Sequence, residues 1–144
     1  MRAFLQREYA DAAARDEAMK EWLRKLGVEL VVLAGWDRVL TEGFVKGFPD
    51  RILNVHPSLL PAFAGGMDAV EQALRHGVKV SGCTVHIVSA EVDAGRILLQ
   101  AAVPVLEDDT VETLHARIQT EEHRILPEAI RLVVQRERAG ASLG

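Results

Sequence analysis

Apolar positions along the chain keep two rhythms. From about Tyr9 to Leu26 the spacing is helical: Met19, Trp22, Leu23 and Leu26 fall at i, i+3, i+4 and i+7 and make one stripe. Asp16 with Lys20, and Glu21 with Lys25, stand on the opposite side as i,i+4 charge pairs. Gly27 follows where a helix would end in left-handed backbone. The next stretch, Val28 to Ala34, is nearly all apolar and rich in β-branched residues, the pattern of a buried parallel strand.

The alternation continues. Thr41 to Gly47 reads as a short helix, and Arg51 to Val55 as a second buried strand closed by Pro57. Asp68 to His76 is a helix with strong punctuation: Asp68 and Glu71 have capping-box spacing, Arg75 and His76 suit the negative end of the dipole, and Gly77 stops it. Strands are expected at about Gly82 to Val88 and Ile97 to Val103. Asp109 and Glu112 then open a long helix with Val111, Leu114, Ile118 and Ile125 on one face, which Pro127 should kink or restart before about Arg138. Strands and helices in turn, with short links and no divider, predict one α/β domain over residues 1–144 with an open sheet.

Composition narrows the function classes. Seventeen Lys and Arg against twenty-one Asp and Glu leave a net charge of −4, so no basic face pulls toward nucleic acid or anionic lipid. Apolar runs such as Leu30 to Ala34 fall far short of the ~20 residues of a membrane span. The single cysteine, Cys83, excludes an internal disulfide and a Cys-rich zinc site. Charged residues interrupt the first eight positions where a signal peptide would be apolar, so a cytoplasmic protein is expected.

In an open α/β sheet, ligands sit beyond the carboxyl ends of the strands. That rule selects Gly35 to Leu40, Asn54 to Pro61, and Ser89 to Arg96. Asn54 and His56 are two apart on an extended segment, so their side chains project the same way before the prolines turn the chain aside. An amide can donate to a developing oxyanion and an imidazole can move a proton, a pairing suited to carbonyl chemistry. Asp93 could orient His56 from the third loop. Taken singly, each of these residues is more often structural than catalytic. Cys83 reads as a core residue of a strand. His86 on the same strand could face the pocket but is more often structural. His76 reads as a helix-end cation, and His115 and His123 as groups at the surface or just behind the site. No His, Cys or carboxylate spacing suggests a metal site.

The stretch Leu53-Asn54-Val55-His56-Pro57-Ser58-Leu59-Leu60-Pro61-Ala62-Phe63 resembles the signature of the folate-dependent formyltransferases. Leu33 to Leu40 resembles that family's pterin loop. Gly82 to His86 with Val92 to Gly95 resembles the approach to its catalytic aspartate, and Gln119 to His123 its nucleotide-facing helix. The resemblance runs in one register from about residue 8 to residue 135. It implies a Rossmann-type, mostly parallel sheet with helices on both faces, and transfer of a formyl group from 10-formyltetrahydrofolate to the amine of glycinamide ribonucleotide in purine biosynthesis. It also implies a catalytic trio: Asn54 holding the formyl oxygen, protonated His56 donating the proton, and Asp93 keeping His56 charged. Asp37, Arg38, Val39, Leu40 and Asn54, with Val88, Ser89, Ala90, Glu91 and Val92, would line the folate pocket. Gly35, Val55, Pro57, Gln119 and Glu122 would face the ribonucleotide. No metal is implied.

Trp36-Asp37 and Arg96 depart from the family's usual residues without touching the trio. A larger departure is at the start. The strand, glycine-containing turn and helix that bind the substrate phosphate in the family have no counterpart here, so an N-terminally truncated domain is expected. Exposing the side of Val28 to Ala34 would then favour a homodimer. Two alternatives share the motif: a hydrolase releasing formate from the same folate, and a non-catalytic folate-binding fragment. The hydrolase motif reads His-His-Ser-Phe-Leu-Pro, against His56-Pro57-Ser58-Leu59-Leu60-Pro61 here. The related tRNA formyltransferases add a basic C-terminal domain that this acidic chain does not match.

Overall fold

A computed structural model describes residues 1–33, 38–89 and 95–140. A short 3-10 turn, Gln6–Glu8, leads into helix α1 (Ala12–Lys25), followed by strand β1 (Val31–Leu33), helix α2 (Glu42–Gly47) and strand β2 (Ile52–His56). Helix α3 (Ala69–His76), strands β3 (Val80–Ile87) and β4 (Ile97–Pro104), and helix α4 (Val111–Arg138) complete the order. Each predicted helix and strand appears, with ends shifted by a few residues.

The four strands lie in the order β1-β2-β3-β4. β1 pairs with β2 in parallel, whereas β2 with β3 and β3 with β4 are antiparallel. Strands β1, β2 and β4 therefore point one way and β3 runs against them, so the sheet is mixed. The link carrying α3 is long enough for a parallel crossover but does not force one. In place of crossing the sheet, α3 packs beside α4. Among the described strands β1 lies at the edge, half-buried, in line with the exposed side expected for Val28 to Ala34.

Helices cover both faces. Cys83, Val85, Ala101 and Val103 pack against Val70 of α3 and against Leu114, Ile118, Ile125 and Ala129 of α4. Phe44 and Phe48 cover Ile52 on the other side, with Met19 and Leu23 of α1 packed against them. Burial of these apolar side chains is the main force holding the layers together.

Several local expectations are corrected. Asp68 makes no capping bond; its carboxylate accepts from Gln72 and Arg75 instead. Thr110, not Asp109, caps α4 in a reciprocal box with Thr113, while Asp109 takes two bonds from Arg117, which holds its carboxyl well below the usual range. Helix α4 runs through Pro127 without restarting, because Ile118, Ile125, Ala129 and Val133 are buried along it. Asp16 is not a surface partner of Lys20. It is fully buried and pairs with Arg15, while Lys20 bonds Glu17 at 2.8 Å.

Candidate active site

The alternation of β2 sorts its side chains. Leu53 and Val55 turn toward α4, and Ile52, Asn54 and His56 turn to the opposite face. The antiparallel register places Asn54 opposite His86 and His56 opposite Thr84. Four polar side chains thus form one block at the carboxyl end of β2. Thr84, His86 and His56 are 0%, 1% and 5% exposed, so each must find partners inside the protein.

His86 settles how the Asn54 amide points. Its Nδ1 lies 3.2 Å from the Ile87 carbonyl, which can only accept, so Nδ1 carries the hydrogen. In the neutral ring Nε2 is then an acceptor, and it meets the Asn54 Nδ2 at 3.5 Å. With that assignment one amide N–H of Asn54 faces His86, and the second N–H of the same group can donate elsewhere. That is the property a carbonyl-polarising donor needs.

His56 is fixed by the loop that follows it. Its Nε2–H donates to the Phe63 carbonyl at 2.9 Å. Phe63 has φ of 55°, a left-handed conformation that costs a non-glycine residue roughly 1–3 kcal/mol. The loop is in turn tied down by Thr84. The Thr84 hydroxyl donates to the Ser58 carbonyl at 2.7 Å and accepts from the Leu60 N–H at 3.0 Å and from Gln100 at 3.1 Å. Ser58 adds a bond to the Ala62 carbonyl, and Gln100 a bond to that of Leu60. The Leu60–Pro61 peptide is cis.

Sequence reasoning selected Asn54 and His56, and the structure brings them together on one face. It missed Thr84, Gln100 and the Phe63 carbonyl, and it favoured a structural role for His86 while allowing that it faces the pocket. The signal for His86 and Thr84 was available: on β3 they alternate with Cys83 and Val85 as a polar face does. Asp93, Gly35, Asp37, Ala90, Glu91 and Val92 lie outside the described residues.

The remaining expected site residues are placed as follows. Arg38 and Val39 are exposed, whereas Leu40 is buried with Phe44 under α2. Val88 packs against that same cluster, and Ser89 is half-buried beside it in sequence. Gly95 closes the end of this loop so tightly that any Cβ there would overlap the Ile87 carbonyl. Pro57 is half-buried at the turn, and the Val55 side chain belongs to the α4 core. Gln119 is exposed on α4 and Glu122 is half-buried one turn later. Burial pushes the Glu122 carboxyl up, and His115, His123 and His56 pull it back, which puts Glu122 within electrostatic range of the His56 ring.

Two surface hollows lie away from this block. One of about 220 Å³ is lined by Leu74, Lys79 and Asp109, and another of about 280 Å³ by Arg24, Phe48 and Arg51. Among the described residues no group of three or more His, Cys, Asp or Glu could hold a metal ion, and no helix is long and apolar enough to cross a membrane.

Comparison with known proteins places the fold and sequence in a family. The formyl transferase family profile matches residues 1–130. The phosphoribosylglycinamide formyltransferase of Haemophilus influenzae is 41% identical over 128 residues, covering 89% of this chain and 60% of that protein. The bovine trifunctional purine biosynthetic protein adenosine-3 is 50% identical over 125 residues, covering 87% of this chain but 12% of its own length. The crystal structure of glycinamide ribonucleotide transformylase 1 from Symbiobacterium toebii superimposes with a TM-score of 0.87 at 59% identity, over 89% of this chain and 60% of that one. The chain thus spans less than two thirds of each of these relatives.

Proposed function

The chain belongs to the formyl transferase family, and from that premise we propose that it transfers the formyl group of 10-formyltetrahydrofolate to the amine of glycinamide ribonucleotide. The observation that carries this reading is the fixed pair on one face of β2: an Asn54 amide held by His86 and a His56 ring held by Phe63. Relatives named phosphoribosylglycinamide formyltransferase and glycinamide ribonucleotide transformylase support the same acceptor here.

The amine attacks the formyl carbon, and the carbonyl oxygen takes up negative charge. Asn54 donates its second N–H to that oxygen. The attacking nitrogen then loses a proton, and N10 of the folate gains one as the C–N10 bond breaks, so protons balance over the cycle. His56 moves the proton. Asp93 is assigned to keep His56 charged.

Asp37 to Leu40 and Val88 to Val92 are assigned to the folate. Gly35, Pro57, Gln119, Glu122 and the main chain of Val55 are assigned to the ribonucleotide. No metal takes part in this scheme. We place the reaction in the cytoplasm and residues 1–144 in one catalytic domain. The β1 edge suits a homodimer, which light scattering would read.

The test is formyl transfer by the chain itself. Tetrahydrofolate should appear only when glycinamide ribonucleotide is present. Asn54→Ala and His56→Ala should each slow the reaction by about 10²–10³-fold, and in His56→Ala folate binding should hold within a few-fold. Formate released without the acceptor would identify a hydrolase instead. Folate binding with no turnover in either assay would identify a binding module.

A further inference from the structure

Asp16 is the most thoroughly buried carboxylate among the described residues, at 0% exposure, on the first turns of a helix whose sequence suggests a solvated face there. Its Oδ1 accepts from Arg15 Nε at 3.0 Å and from Arg15 Nη2 at 2.7 Å, and its Oδ2 accepts from the Thr41 main-chain N–H at 2.8 Å. Arg15 is itself 3% exposed. A buried ion pair contributes little net stability compared with apolar side chains of the same volume, so its stabilising value does not explain its presence. What it supplies is direction: a bond spanning 25 positions from helix α1 to one particular N–H.

That N–H has a defined place. Thr41 is the N-cap of α2, with its own hydroxyl turned to the Phe44 N–H at 3.4 Å. It closes the segment Arg38 to Leu40, which precedes α2 in the chain. Leu40 plugs the cluster formed with Phe44 and Phe48. The two helices are in close contact nearby, since a Cβ on Gly47 would collide with the Lys20 stem. Leu40 sets the depth of the segment, and Asp16 sets where it stops.

We infer that Asp16 is a positioning residue for the folate side of the site, acting through the Thr41 N–H on residues 38–40. The inference rests on the proposed function for the identity of the ligand, and on geometry alone for the positioning. Removing the carboxylate charge weakens the two bonds from Arg15 and loosens the hold on Thr41. Arg38 and Val39, the exposed residues of the segment, then lose their fixed origin. Of the groups assigned to the ribonucleotide, Pro57, the Val55 main chain, Gln119 and Glu122 stand on β2, the turn after it and α4, away from Thr41. Ribonucleotide affinity should therefore change much less.

Two variants test this. Asp16→Asn weakens the acceptor. Thr41→Pro removes the donor, and the weak hydroxyl cap on Phe44 with it, while leaving the Arg15–Asp16 pair intact, and Thr41 already has a φ of −67°, which proline adopts. In both, the amide resonances of Arg38, Val39 and Leu40 should move, and so should that of Thr41 in Asp16→Asn. Tetrahydrofolate affinity by calorimetry should fall by about tenfold or more, with glycinamide ribonucleotide affinity within about twofold of the parent. Unmoved amides in a folded variant would overturn the positioning role. Moved amides with parental tetrahydrofolate affinity would overturn its link to the folate. A parent chain that binds no tetrahydrofolate would instead sink the proposed function, and the amide shifts would still decide whether Asp16 positions the segment.

Discussion

The two faces of strands β2 and β3 are built from the same backbone and are buried to nearly the same degree, yet they are held by different forces. On one face Leu53, Val55, Cys83, Val85 and Ile87 lie under α4 or against its cluster. On the other, Asn54, His56, Thr84 and His86 bond one another, the main chain or the loop beyond β2. Cys83 and Thr84 are neighbours with 0% exposure each. Burial therefore does not distinguish scaffold from site here. The distinction lies in bond accounting: the apolar face tolerates a lost contact as a cavity, whereas a lost partner on the polar face strands another buried polar group.

That difference predicts opposite outcomes for adjacent substitutions. Thr84→Val keeps the shape but removes the hydroxyl that serves the Ser58 carbonyl, the Leu60 N–H and Gln100. It should cost about 2–4 kcal/mol, since each stranded buried group costs about 1–3 kcal/mol. It should also lower kcat, because the loop that carries the Phe63 carbonyl to His56 loses its tie. Thr84→Ser should recover most of both. Val85→Ala should cost about 2 kcal/mol through lost burial and a cavity, with kcat nearly unchanged. Denaturant unfolding beside steady-state rates would check both. Equal kcat losses in Thr84→Val and Val85→Ala would erase the distinction between the faces.

Much of this scaffold could be read from the chain, and the reasons are physical. A helix stripe or an apolar strand records which side is buried, so each element announced itself, as did the shared projection of Asn54 and His56. Partnerships made by tertiary closure left no such record. Phe63 meets His56 only after the loop has turned, through a carbonyl that every residue carries. Asp16 at i,i+4 to Lys20 has the spacing of a surface pair, and only the packing of α1 on α2 reveals that it is buried. The direction of β3 was equally hidden, since a link of that length permits either sense. His86 and Thr84 were within reach, because their alternation with Cys83 and Val85 marks a strand with one polar face.

A smaller effect is expected at Gln100, which belongs to the same polar network but stands on the exposed side of β4. Its side chain donates to Thr84 and to the Leu60 carbonyl, both at 3.1 Å. In Gln100→Ala, water can reach part of the gap, so the loss should be about 1 kcal/mol, near the net value of an ordinary hydrogen bond. A loss as large as that of Thr84→Val would mean that the network depends on its outer member as much as on its buried hub.

The smallest effect expected is a chemical silence, on the apolar face next to that hub. Burial pushes the Cys83 thiol up to about 11, with Glu122 and Glu121 adding to the same direction. The thiolate is the reactive form, and at pH 8 a group titrating three units higher is about 0.1% ionised. Raising the pH toward 9 would increase that fraction only about tenfold, still far from half. Native protein treated with a thiol reagent at pH 8 should therefore stay unmodified over the time in which denatured protein reacts completely. Cys83→Ala should leave formyl transfer unchanged apart from a modest loss of stability. Rapid labelling of the folded chain would show that the face under α4 opens to solvent, and the contrast between a closed apolar face and a bonded polar one would have to be redrawn.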